Sequence, residues 1–366
     1  MKMTEFRPRW ASPPGETIRE SMYERGWGTD LLPEVLGVNP VVAAGLLDGS
    51  TQLSLDLARR LAEALGGTPR FWSNREAQYR ESINWVEADR WVRLLPGRDM
   101  AELGWMDWSG DWRDRVAACM TFFGAGEPGE LATGRAALTA TARFRAKPRT
   151  PEQEAAVTGW LRRVEIEAGS VSCEPWDQQR FRSLLPDLTR LSRTRDPRKF
   201  IPELQGLCAE VGVSVVIVRA PRNCPVSGVS RRLSTGTRLI GLSARFRTDD
   251  HLWFTFFHEA GHLVEHDPDV VFIDDIEKDI RDDGDPIEAE ANRFASEILL
   301  PAGLRSTIPG RITGLTVRSL AREAGVSLGV VVGQLQHEGL ISFRSKMNRL
   351  KGRYSWAGTT LIPSTV

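Results

Sequence analysis

Cysteine is scarce, and its spacing excludes two common uses. Cys119, Cys173, Cys208 and Cys224 form no C-x-x-C pair, so neither a disulfide frame nor a zinc knuckle is encoded. The segment from Met1 to Trp10 has charges and a proline but no apolar h-region, which argues against a signal peptide. No apolar run approaches membrane-spanning length, and Val213 to Val218 is typical of the longest. Net charge is missing too: Lys plus Arg and Asp plus Glu number 48 each, so overall charge names no partner. Together these absences predict a cytoplasmic protein without membrane contact. The 366 residues leave room for two or three domains.

Histidine is nearly as scarce as cysteine, yet four of the five lie between His251 and His266. The centre of that stretch reads His258-Glu259-Ala260-Gly261-His262. Residues four apart share a helix face, so the two imidazoles can reach one metal ion. Glu259 sits about 100° further round, where it can take a proton from water without being a ligand. This is the mechanical logic of a zincin, with zinc as the cofactor. Leu252, Trp253, Phe254, Phe256 and Phe257 make the preceding turns apolar, as suits a buried helix. Asp249 or Asp250 is expected to cap its start, and Asp267-Pro268 to end it.

A catalytic zinc needs a third protein ligand and an open position. Pro286 to Pro301 reads as a helix whose apolar face carries Ala291, Ala295, Ile298 and Leu299. Glu288 falls on that face, whereas Glu290 is about 200° away and should meet solvent. Glu288 is therefore the expected third ligand. Asn292, one turn later, is a candidate for orienting a ligand. An oxyanion donor is also required, and His266 and Tyr354 are the candidates.

The rest of the chain reads as an α+β protein, mainly helical. Residues 1–80 show five short helices, with a stop at Gly37, a turn at Val38-Asn39-Pro40 and a helix end at Gly66-Gly67, the rhythm of a helix-turn-helix bundle. Residues 81–175 form a tryptophan-rich helical connector, with Trp105, Trp108 and Trp112 at helical spacing and aromatic core as their expected use. Residues 176–303 are expected to form a zincin-like domain around the histidine motif. There Arg198 to Val211 reads as a helix, and Val213 to Val218, Ser227 to Leu233 and Arg238 to Ser243 as strands. One of the last two strands is expected at the sheet edge, binding substrate by strand addition. Residues 304–366 form a helical cap with a basic tail of Arg344, Lys346, Arg349, Lys351 and Arg353, a candidate nucleic-acid contact. The run from Asp267 to Glu290 is strongly acidic and reads as a solvated loop.

Two resemblances follow from these residues. Arg198 to Trp356 resembles the ImmA/IrrE-type metallopeptidases. The match is carried by the His258–His262 motif and by Glu288-x-x-Ala291-Asn292-x-Phe294-Ala295 running to Leu299-Leu300-Pro301. The N-terminal segment resembles the XRE-type domains of HigA-like antitoxins through its P-G-E opening and its Gly66-Gly67-Thr68-Pro69-Arg70-Phe71-Trp72 ending. The first resemblance implies a gluzincin-type zinc endopeptidase with ligands His258, His262 and Glu288 and with Glu259 as general base. It also implies cleavage of a repressor-type regulator in stress, mobile-element or toxin–antitoxin control. The competing reading is a helix-turn-helix regulator or antitoxin whose peptidase fold serves as a sensor or scaffold.

Charge argues against DNA binding by the N-terminal domain. Between Arg25 and Arg59 there is no Lys or Arg, and Asn39 to Leu47 is apolar where base contacts belong. Such a face better suits a protein partner or a homodimer contact.

Overall fold

The computed structural model describes residues 7–131, 149–266 and 285–364, together with the backbone of β1 (Ala142–Phe144) and β5 (Val271–Asp274). It divides into two compact units, residues 1–93 with 108–133, and residues 94–107 with 134–366. Much of the acidic run, 267–284, lies outside the described side chains. Among the described residues no single helix is long and apolar enough to cross a membrane.

The first unit is helical. Pro14–Tyr23, Leu32–Leu36, Pro40–Asp48 and Leu55–Leu65 surround a core of Ile18, Met22, Leu36, Leu46, Leu61 and Trp72. Gly37, at φ 58°, stops the second of these helices in the left-handed region that favours glycine. The Arg60 guanidinium donates to the Leu36 carbonyl at 2.9 Å, satisfying an otherwise orphaned helix-end group. Across that turn the chain bends by 119°. The next helix, Pro69–Val92, runs on through residue 80 without a break. Trp105, Trp108 and Trp112 do not share a helix. Gly104 and Gly110 both take positive φ, and a new helix starts only at Trp112. Trp91, Trp105, Trp112 and Trp160 are nevertheless buried, as expected of core aromatics, whereas Trp108 is half-buried.

The second unit is built on a five-stranded mixed sheet of order β1-β5-β3-β4-β2, where β2 is Val213–Ile217, β3 Gly228–Arg232 and β4 Arg238–Leu242. β3 runs antiparallel to both its neighbours, and β2 parallel to β4. The edge-strand expectation fails here. β3 and β4 are both interior: β5 and then β1, from segments distant in sequence, extend the sheet beyond β3, and β2 covers the other side of β4.

Side chains alternate across the sheet with the period of two that a strand imposes. Gly228 and Ser230 face the helix Asp249–Glu265, while Arg231 faces the helix Pro151–Gly169 and pairs with Glu165. Trp160 of that second helix donates to the Val218 carbonyl at 3.0 Å, so it belongs to the sheet's far face. The C-terminal segment also departs from a purely helical cap. After the helices Gly314–Ala324 and Leu328–His337, the chain forms a hairpin, β6 (Tyr354–Ala357) with β7 (Thr360–Pro363).

Candidate metal centre

The helix Asp249–Glu265 is buried along its whole length except at His251 and Glu265. It lies between β3 and β4 on one side and the C-terminal helices on the other, which is why nearly all of its surface is covered. The acids at its start do not cap it. The N-cap is Thr248, which makes no side-chain cap bond, and Asp249 and Asp250 are turned into the protein. Asp249 accepts from Ser327 Oγ at 2.7 Å and Gly352 N at 2.9 Å, and Asp250 pairs with Lys351 Nζ at 2.5 Å.

The second helix, Pro286–Leu299, starts where Asp285 accepts from the Ile287 amide and Pro286 fills the first turn. Its buried face carries Glu288, Ala291, Ala295 and Leu299. Small residues there let the two helices approach closely.

At this crossing His258, His262 and Glu288 converge, all buried, with one ligand atom from each within 4.8 Å of the others. The two Nε2 atoms lie 3.0 Å apart. His258 Nε2 is 3.3 Å from Glu288 Oε2, and His262 Nε2 is 3.4 Å from Oε1. A tetrahedral zinc bound at ordinary distances spaces its ligand atoms by roughly 3.3–3.4 Å, so the donor set fits that metal in kind and in spacing.

The far side of each imidazole is also held. His258 Nδ1 lies 3.0 Å from Asn292 Oδ1, which can only accept, so Nδ1 carries the proton. His262 Nδ1 lies 3.1 Å from His266 Nδ1, and His266 Nε2 lies 3.2 Å from Glu290. With Glu290 accepting from His266 Nε2–H, His266 Nδ1 accepts from His262 Nδ1–H. Both Nε2 lone pairs then point at the centre. Burial, the main cause, pushes His262 down to about 4, which keeps it neutral. Burial acts on Glu288 in the opposite sense, but the two imidazoles, when they carry a proton on Nε2, outweigh it and hold that carboxyl well below the usual range.

Glu259 is fully buried and faces β3. Ser230 Oγ donates to its Oε2 at 2.6 Å. A Cβ on Gly228 would stand 2.5 Å from Glu259 Oε1, so only glycine lets this strand lie so close.

Residues 212–336 match the family model described as the IrrE N-terminal-like domain, a peptidase family. No curated protein matches the chain. The matched span contains β2, the motif helix, Ser230, Glu288 and Asn292, and it supports an ImmA/IrrE-type peptidase with a metallopeptidase role for this part of the chain.

Other residues singled out in the sequence lie apart from this group. Tyr354 packs on Phe200 and lines a cleft with Asp249, at the opposite end of the motif helix from the histidines. From Asp249 to His258 is nine residues, or about 13 Å of helix. In the basic tail Arg344, Lys346, Arg349 and Arg353 are exposed, whereas Lys351 is committed to Asp250. Sequence reasoning missed Ser230 and the part played by Glu290. The only available signal for Ser230 was its place in a strand near the motif.

Proposed function

We propose that the protein is a zinc-dependent endopeptidase of gluzincin type that cleaves a regulatory, repressor-type DNA-binding protein in stress, mobile-element or toxin–antitoxin control. The observation that carries this reading is the convergence of His258, His262 and Glu288 beside a buried Glu259. A zinc ion held by the three ligands would supply Lewis acidity toward a peptide carbonyl and toward water. Glu259 takes the proton from the attacking water and returns it to the leaving amine. Ser230 fixes the carboxylate that does so, and Asn292 and the His266–Glu290 pair hold the imidazoles in the tautomer that binds metal. His266, with both ring nitrogens engaged, is a positioning residue in this reading and not the oxyanion donor.

The test is metal content and cleavage measured together. Purified protein should carry about one zinc per chain, and Glu259→Gln should keep that zinc while losing roughly 10²–10⁴ in cleavage rate. Wild-type function in cells carrying Glu259→Gln would instead favour the regulator or antitoxin reading, with the peptidase fold as sensor or scaffold.

One observation speaks for that second reading. The helices Leu32–Leu36 and Pro40–Asp48 are joined by a tight turn at the bend of a helix-turn-helix. However, Val41 and Ala44 are exposed on the second helix, where base-reading polar side chains belong. This favours a protein-docking use of the domain, either on the substrate or on a second copy of the chain.

A further inference from the structure

The far end of the motif helix borders a cavity of about 330 Å³. Its walls come from the 3-10 turns Thr189–Arg193 and Lys346–Leu350, the helix pair Gly314–Ala324 and Leu328–His337, and β6. Arg193, Arg195, Arg318 and Arg322 line it. All four are exposed, and among the described residues none of their guanidiniums makes a hydrogen bond or an ion pair. The acids nearby are engaged elsewhere: Asp196 with Arg198, Glu203 with Arg190, and Glu323 with the Ser319 hydroxyl.

Among the described residues the one acid lining the cleft is Asp249, and it is buried. Its oxygens accept from Ser327 Oγ and from the amides of Gly352 and Asp250. Gly329 packs so tightly on it that a Cβ there would stand 2.0 Å from Oδ1. Four guanidiniums against one carboxyl leave an excess of three positive charges (4 − 1) around one concavity, even with Asp249 ionised. Burial, and then Asp250, push that carboxyl up to about 7, so the excess approaches four at mildly acid pH.

Like charges gathered round one cleft repel each other unless an anion joins them. Guanidinium forks match phosphate oxygens two at a time. The ten-residue helix Leu328–His337 also opens its first turn onto the cleft, adding to the positive field. Val326, Leu328 and Leu350 supply an apolar wall. The volume falls at the small end of the range for small-molecule sites. It takes one phosphorylated group and its substituent, not a track of phosphates along a strand.

We propose that this cleft is a binding site for a small phosphorylated ligand of nucleotide size, with Arg193, Arg195, Arg318 and Arg322 gripping the phosphate and the apolar wall taking the rest. The ligand would sit at the opposite end of the helix that carries His258 and His262, distinct from the metal centre.

Isothermal titration of the full chain tests this, with inorganic phosphate, adenosine 5′-monophosphate and adenosine 5′-diphosphate as probes, and without any cleavage assay. The nucleotides should bind saturably and more tightly than phosphate. Arg318→Ala/Arg322→Ala changes exposed side chains only, so it should keep the melting temperature and zinc content of the parent. It should weaken nucleotide affinity by roughly tenfold for each guanidinium removed. Arg344→Ala/Arg349→Ala should change nothing. The proposal is overturned if no probe saturates at millimolar concentration, or if the double variant binds as the parent does. It is equally overturned if a duplex DNA oligonucleotide binds more tightly than the nucleotides and loses that affinity in the same variant. The cleft would then be part of a nucleic-acid surface.

Discussion

Replacing Ser230 by alanine tests the proposed chemistry at a point the motif does not reach. The hydroxyl is fully buried and donates to Glu259 Oε2 at 2.6 Å, a short bond of the charge-assisted kind. Hydrogen bonds to charged groups contribute about 1.5–3 kcal/mol. If the whole bond serves to hold Glu259 in line for proton transfer, its loss lowers the rate by about 10- to 100-fold. Ser230 touches the base and none of the three proposed ligands, so Ser230→Ala should retain its zinc. The effect should fall on kcat and leave KM nearly unchanged, since the bond positions the base and holds no substrate. The assay is cleavage of a fluorogenic peptide selected from a library by the wild-type protein, with zinc measured by mass spectrometry on the same samples. A variant with full zinc and full kcat would refute the positioning role. A variant that loses zinc would show that the strand supports the ligands and not the base.

Three other outcomes follow from named contacts. Glu288→Ala should lose most of the bound zinc while Glu290→Ala keeps far more of it, because Glu290 is exposed and reaches the centre only through His266 among the described residues; equal retention in metal analysis would reject Glu288 as a ligand. Asp249 has its carboxyl raised from 3.8 to about 7, so the stability it contributes is complete below about pH 4 and is lost as pH rises through 7. Asp249→Asn should therefore gain on the parent by a few kcal/mol, to order of magnitude, between pH 5 and pH 8.5 in urea unfolding, and parallel pH curves would count against it. The full chain with Arg344, Arg349 and Arg353 changed to alanine should bind duplex DNA no tighter than roughly 10⁻⁴ M at physiological salt, and sub-micromolar, sequence-selective binding would restore the repressor reading.

What could be read in the sequence is what depends on one helix at a time. The four-residue spacing puts His258 and His262 on one face, and the same arithmetic separates Glu288 from Glu290 and places Asn292 one turn on. Contacts between elements were not legible in this way. Ser230 meets Glu259 only because β3 crosses the motif helix at a register that Gly228 permits. The sheet order was hidden for the same reason: β5 and β1 cover β3, and nothing local to either says so. Asp249 and Asp250 looked like helix caps because acids at a helix start usually are. Here a C-terminal segment about 80 to 100 residues later supplies their partners, and the absence of a Cβ at Gly329 and Gly352 makes the room.

Those two aspartates explain how a helix with so much buried polarity keeps its place. The metal-facing half holds His258, Glu259 and His262 away from water, and the other half buries two adjacent carboxyls. Neither half would be tolerated without partners, since an unpaired buried charge costs several kcal/mol. The partners come from different directions: β3 and the helix Pro286–Leu299 at one end, and Ser327, Lys351 and Gly352 at the other. The helix is thus fixed at both ends by hydrogen bonds that require one rotation and one axial position. An amphipathic helix sliding on an apolar surface would lack that definition. Because His258 and His262 must meet Glu288 to within a few tenths of an ångström, this double anchoring is what ligand convergence needs. It also means that whatever displaces Ser327 or Lys351 acts on the same rigid rod that carries the ligands.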